Sequence, residues 1–422
     1  MKRSLAVIDP ALGPTLGHHA GFAEAIADMD HQGRQIDIWC HTLHADSITA
    51  RLTVAGITSH PEFSINWYQW HDQQPPVAAR AQHINQLARE YLSVFSKIRT
   101  TGPTIYMHHS LDWLNACALF IALEQQRQQQ TDDSESVHCV LLMFAPGFEH
   151  SPTEPHRQLN YSLGFRQLLQ HPQVRAFASC SEYRDQYQRL LTTFSAPTDR
   201  PKIGLHPCFL ADWAQWPAAN PAPSGDNQPP RQILLFLGDP REDKGFLDLP
   251  AITTALLARW HDNVPTLVIQ HSLPQDWAEP EIHQAAIELK RLADAHPQIN
   301  LTQGYWPSPK LQQAICESDW VVFNYPNTST MDKSSGVLWL AAQQHKLIVA
   351  PQTSWVWREA LRLGCSVADI QTLLRPDKWQ PSVANSNTTT SRYRQQIYTP
   401  FLEWLDTELS LNPTQTLMEQ SA

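Results

Sequence analysis

"LLFLGDPREDKG", residues 234–245, begins as an unbroken apolar run and ends in Arg241, Glu242, Asp243, Lys244 and Gly245. Apolar residues this closely spaced, stopped by a glycine and followed by "FLDLPAITTALLARW", read as a buried strand that turns into a helix. The turn at the strand's carboxyl edge carries two cations. A guanidinium grips phosphate oxygens in bidentate fashion, an ammonium adds a point charge, and the helix start offers unpaired N–H groups to the same anion. The residues read equally as a solvated β–α turn in which Glu242 and Asp243 neutralise the cations locally.

Outward from this unit the same pattern repeats. "QILLFLGD", "PTLVIQHS", "QINLTQGY", "WVVFNYP" and "KLIVAP" are strand candidates, with helices expected around 247–260, 279–296, 308–317 and 335–345. Upstream lie "SLAVID", "IDIWCH", "TIYMHH", "VHCVLLMF", "VRAFASC", "KIGLHP" and, as a weaker candidate, "FSINWYQW". Alternating short apolar runs and longer amphipathic ones predict parallel sheets covered on both faces by helices. The proline-rich stretch "WPAANPAPSGDNQPPR" interrupts the alternation, since it can continue neither helix nor ladder. The expected organisation is therefore an α/β protein of two doubly wound Rossmann-like domains facing a cleft. Their bounds are 1–215 and 232–390, with a linker at 216–231. Residues 391–422 form a closing helix, broken at Pro400, and a tail. A chain of 422 residues is long enough for two cores.

Composition narrows the function classes. The formal charge of −10 disfavours a nucleic-acid surface, which needs many cations against phosphates. No stretch approaches the roughly 20 apolar residues that cross a bilayer, and no polybasic helix marks an anionic membrane, so membrane contact is expected to be peripheral at most. The apolar start "LAVI" meets Asp9 and Pro10 too early for a signal peptide. Seven cysteines without a CxxC pair point to reduced thiols and a cytoplasmic setting.

A second anion-friendly helix start follows in "YPNTSTMDKSSGVLWLAAQQHKLIVAP" (325–351), where Ser334, Ser335 and Gly336 open an apolar helix. An ordinary serine N-cap would look the same. The order of features resembles the GT-B glycosyltransferases of the retaining, group 1 type. "GDPREDKG" is similar to that family's Gly-x-x-Arg-x-x-Lys-Gly turn, "GYWPSPKLQQAICESDWVVFNYP" to its Gly-aromatic segment and Asp-strand-Pro element, and "SSGVLWLAAQQHKLIVAP" to its phosphate-binding helix and following strand. "LGHHAGFAEAIADM", "ASCSEYRDQYQRLL" and "IGLHPCFL" extend the likeness over most of the chain.

The resemblance implies glycosyl transfer from a nucleotide-diphosphate sugar to a glycan or glycoconjugate acceptor, as in surface polysaccharide biosynthesis. Arg241 and Lys244 would neutralise the donor diphosphate, and Ser334, Ser335 and Gly336 would hold it. Tyr305 and Trp306 would lie near the base, and Asp332 and Gly17 near the nucleotide or sugar. No cofactor and no metal are expected if the two cations stabilise the leaving group. The sequence departs from the family where two glutamates usually stand: those places hold Lys333 and Ala341, with Asp332 one residue from the first.

The N-terminal half must supply acceptor contacts and a base. His18 and His19 follow the first strand, His108 and His109 end another, and Glu149 with His150 follows a third. Histidine accepts a hydroxyl proton near neutral pH. Two other readings stand beside the transferase. One is a non-catalytic GT-B-like scaffold, suggested by the missing glutamates. The other is an NAD-dependent oxidoreductase with Asp37 on a ribose, although the glycines at 13, 17 and 21 do not form G-x-G-x-x-G.

Overall fold

The computed structural model describes residues 4–13, 18–29, 35–43, 46–65, 77–98, 104–129, 136–146, 157–192, 202–207, 230–260, 264–272, 279–325, 334–373 and 394–410. Contacts divide the chain into two compact units: Met1–Ala211 with Asp332–Ser334 and Gln396–Ala422, and Asp212–Met331 with Ser335–Gln395. Both are doubly wound parallel α/β units.

The first unit runs β1 (Ser4–Asp9), α1 (His18–Asp28), β2 (Ile36–His41), α2 (Asp46–Val54), β3 (Thr58–Phe63), α3 (Val77–Ile98), β4 (Thr104–His109), α4 (Trp113–Gln128), β5 (Val137–Leu142), α5 (Arg157–Leu169), β6 (Val174–Ala178), α6 (Ser181–Thr192) and β7 (Gly204–Leu205). Its sheet order is β3-β2-β1-β4-β5-β6-β7. The second unit runs β8 (Gln232–Gly238), α7 (Leu249–Trp260), β9 (Thr266–His271), α8 (Pro280–Ala295), β10 (Ile299–Gln303), α9 (Ser308–Glu317), β11 (Trp320–Val322), α10 (Gly336–Gln343), β12 (Leu347–Ala350), α11 (Trp355–Leu363), β13 (Val367–Asp369) and α12 (Ile370–Leu373). Its order is β10-β9-β8-β11-β12-β13. In each sheet the chain winds out from its first strand in one direction and then returns to the other side. The order therefore reverses between β1 and β4 in one unit and between β8 and β11 in the other, where open parallel sheets leave a crevice at their carboxyl ends.

Central strands such as "TIYMHH" are buried along their whole length, as strands covered on both faces must be. Several elements differ from the sequence expectation. The strand expected from "FSINWYQW" is instead the preceding "TSHPEF", and residues 66–70 lie outside the described residues. Pro61 is tolerated there because β3 pairs only with β2 and sits at the sheet edge. A further strand and helix, β13 and α11, escape the pattern because they are short. Pro400 stands at the second residue of the last helix, α13 (Thr399–Ser410), directly after a π-helical segment at Arg394–Tyr398, so it marks where the regular α-helix begins.

That helix buries Phe401, Leu405 and Leu409 in the core of the first unit, with Phe401 and Trp404 against Phe177. The second core is built from Ile233, Leu235, Leu249, Ile252, Leu267, Ile269 and Leu289, among others. Among the described residues no helix is long and apolar enough to cross a membrane, and the six described cysteines are free thiols.

Candidate functional site

In the second unit the charged turn after β8 is folded around two glycines. Gly238 has φ 116°, and a Cβ there would lie 3.1 Å from the Lys244 ammonium, so the lysine packs on bare backbone. Gly245, at φ 69°, approaches the strand-end loop so closely that a Cβ would stand 1.8 Å from the Asn324 carbonyl oxygen. Asn324 Nδ2 donates to the Gly245 carbonyl and to Asp248, each at 3.1 Å, and so ties this turn to the end of β11.

Lys244, Asn324, Tyr325 and Val337 line a pocket with strand residues Phe236 and Val322, at the β8/β11 reversal. Burial, helped by the Arg241 charge, pulls the Lys244 ammonium down to about 8, while Asp239 and Asp243 oppose the shift. Arg241 Nε lies 3.1 Å from Asp243 Oδ1, so part of the turn's charge is neutralised within it, as the solvated-turn reading expects. Asp239 accepts from Ser272 Oγ and from Tyr305 Oη, each at 2.6 Å, on the same carboxylate oxygen. Burial raises the Asp239 carboxyl, but Lys244, these two hydroxyls and Arg241 outweigh it and the net shift is downward. Burial and Asp239 push the Tyr305 phenol up to about 12.

The helix α10 starts beside the same turn. Ser335, its N-cap, makes no side-chain cap to the helix; its hydroxyl lies 3.5 Å from Tyr325 Oη. Tyr325 is half-buried and feels the Arg241 charge, so it connects the helix start to the cationic turn. The first N–H groups of α10, beginning at Gly336, are the partial positive charge that favours an anion here. Ser334 is engaged elsewhere: its hydroxyl donates to the Met143 carbonyl at 2.8 Å within the first unit.

In the first unit the reversal between β1 and β4 holds a different group. Asp9 ends β1, and its Oδ2 lies 2.8 Å from His19 Nδ1 and 2.9 Å from His109 Nδ1. Oδ1 accepts the Ala11 N–H at 3.1 Å. His109 stacks on Phe22 of α1 at 4.1 Å between ring centroids, and His18 lies 4.0 Å from His19. Asp9, His19 and His109 are the described residues whose donor atoms cluster closely enough to hold a metal ion.

Adjacent strand residues point to opposite faces, and this separates the two neighbouring histidines. His109 faces α1 and Asp9. His108 faces the other layer, where its Nε2 meets His138 Nδ1 at 3.0 Å beside Tyr91 and Phe95. Burial pulls His108 down to about 3, and its ring is taken up by His138, Tyr91 and Phe95 on the face away from Asp9, so it is a core group and not the cleft base expected of it.

The structure thus brings Arg241, Lys244 and Tyr305 to Asp239, sets Ser335 beside Tyr325 at the start of α10, and groups His19 and His109 on Asp9 with His18 next to them. Trp306 stands beside Lys310, whose ammonium is 5.1 Å from the indole centroid. Gly17, Asp332, Glu149, His150 and Lys333 lie outside the described residues. Asp37 stands near the start of β2, held by His60 at 3.2 Å, at the sheet's other edge from a ribose bound at the carboxyl ends. Sequence reasoning missed Asp9, Asp239 and Ser272. Asp9 carried a signal, a lone carboxylate ending a buried strand; the other two become meaningful only through their partners.

No protein-family model matches the chain, and no curated protein matches it in sequence. Solved structures do. An α,α-trehalose 6-phosphate synthase from Burkholderia multivorans superposes with a TM-score of 0.60 over 100% of both chains at 11% identity. A sucrose-phosphate synthase from Thermosynechococcus elongatus gives 0.56 over 100% of both chains at 11% identity. An E. coli trehalose-6-phosphate protein bound with UDP-2-fluoro glucose gives 0.57 at 12% identity, over 97% of this chain and 100% of the other. At such low identity the likeness is one of backbone architecture, and over its full length this chain has the GT-B glycosyltransferase fold.

Proposed function

We propose that the protein transfers a glycosyl group from a nucleoside-diphosphate sugar to a hydroxyl of a glycan or glycoconjugate, in cytoplasmic polysaccharide assembly. The observation that carries the reading is the Lys244 ammonium, seated on Gly238 at the β8/β11 reversal beside Arg241 and the start of α10. In this reading the two cations and the α10 N–H groups hold the diphosphate. They stabilise the negative charge that develops on it as the bond to the sugar breaks. The exposed ring of Tyr305, held through its hydroxyl by Asp239, stands ready for the base. His19 and His109 are the candidates for receiving the acceptor's proton. The UDP-sugar bound to the E. coli neighbour supports a nucleotide-sugar donor in general.

A thermal-shift screen of nucleoside diphosphates and nucleotide sugars tests this. At least one is expected to raise the melting temperature at millimolar concentration, and Arg241→Ala or Lys244→Ala to weaken its binding tenfold or more. Absence of any nucleotide effect in the wild type rejects the reading. A second reading, a partner protein that binds nucleotide without turnover, draws on Ala341, which is fully buried in α10 where the family resemblance places a glutamate. Nucleotide binding without sugar release would select it.

A further inference from the structure

The Asp9 cluster of the first unit has an unusual geometry: two imidazoles share one carboxylate oxygen. His19 Nδ1 and His109 Nδ1 lie 2.8 and 2.9 Å from Oδ2, and all three side chains are more than nine-tenths buried. The Asp9 carboxyl is held well below the usual range; burial raises it, but the charges and hydrogen bonds of His19 and His109 more than reverse that. An ionised carboxylate can only accept. Each Nδ1 must then carry the proton, and a ring that is neutral keeps its lone pair on Nε2. At His109 the consequence is visible on the far side of the ring. Ser110 Oγ lies 3.4 Å from Nε2, where its hydroxyl can donate to that lone pair. Ser110 holds φ 53°, a left-handed backbone uncommon for a residue other than glycine, and such conformations concentrate at functional sites.

The same three groups lie close enough to hold a cation, and here they are hydrogen-bonded to one another instead. N···O separations of 2.8–2.9 Å are hydrogen-bond lengths. Ligands on a tetrahedral zinc with arms of roughly 2.0–2.1 Å would stand about 3.4 Å apart. The positive end of α1, which begins at His18, also favours the Asp9 anion and opposes an added cation.

We propose that Asp9 is a positioning residue that holds His19 and His109 together in the Nδ1–H tautomer, so that each ring presents Nε2 as a proton acceptor. The use of this arrangement rests on the proposed transfer. There, the acceptor's O–H bond breaks as its oxygen pair forms the new bond to the anomeric carbon, and the bond from that carbon to the diphosphate leaves with its own electron pair. The released proton forms an N–H bond at one Nε2, and the resulting imidazolium faces the Asp9 carboxylate.

The tautomers can be read without any substrate, by two-bond proton–nitrogen correlation spectra of the full-length protein labelled with 15N-histidine. In the wild type at neutral pH, two rings are expected to show protonated Nδ1 and unprotonated Nε2. His19→Gln and His109→Gln should each remove one of these patterns, and Asp9→Asn should return at least one ring to protonated Nε2. Wild-type spectra with both rings protonated at Nε2 overturn the proposal, as do patterns that change on adding a chelator, which would reveal a bound metal. If Asp9→Asn fails to fold, the wild-type spectrum and the two histidine variants decide. Because no nucleotide enters the experiment, failure here and failure of the transferase reading are separately recognised.

Discussion

The two units share a winding order and place their reactive groups at the same point of it, yet the chemistry there is opposite. At the β1/β4 reversal an anion, Asp9, is enclosed by two imidazole rings and almost removed from water. At the β8/β11 reversal a cation, Lys244, is half-buried among Asp239, Arg241 and hydroxyls, facing a pocket. Topology selects the location in both, because only there do neighbouring loops leave in opposite directions. The loop residues then select the charge. In the proposed function one centre receives a proton and the other holds an anion.

The comparison can be broken most severely at Gly245. In Gly245→Ala the new Cβ meets the Asn324 backbone and the residue keeps a positive φ, so a loss of about 4 kcal/mol or more is expected in denaturant unfolding. A loss below 1 kcal/mol would mean that the turn and the β11 loop are not locked together. In the first unit, Asp9→Ala leaves two buried Nδ1–H groups without their acceptor and should cost about 2–3 kcal/mol. Since the folded-state Asp9 carboxyl is depressed, its contribution is present above the unfolded value near pH 4 and fades as the pH falls below it. The wild type should therefore lose more stability than the variant on acidification, and parallel pH–stability curves would contradict this.

The pH dependence of the other centre has the opposite sign. With Lys244 drawn down to about 8, its charge is present below that pH and lost above it. Nucleoside-diphosphate affinity in the proposed function should then fall about tenfold from pH 7 to pH 9 by calorimetry, a range over which an ordinary lysine stays charged. A flat profile would remove Lys244 from the anion site. The smallest effect is expected from Tyr305→Phe. It removes one of two hydroxyls on Asp239 at a part-exposed position, and about 1 kcal/mol of nucleotide affinity is expected to go with it.

Much of this was readable before any coordinates. The alternation of β and α elements, the strand ends and the charged turn with Arg241 and Lys244 follow from local pattern, because a strand covered on both faces must be continuously apolar and ends where glycine and charged residues begin. The reading failed where the local signal was weak. β3 is polar and contains proline, and β13 has three residues. It also could not tell His108 from His109, since both end the same buried strand and only the placement of α1 and α3 decides which side is core.

By itself the sequence determined the fold class and the kind of charge each strand-end loop carries, since both depend on residues close together in the chain. Tertiary structure alone decided the partnerships. Asp9 meets His109 across 100 residues and Asp239 meets Tyr305 across 66. A crossover between parallel strands brings distant strand ends to one edge of the sheet, and no periodicity along the chain records which of them will touch.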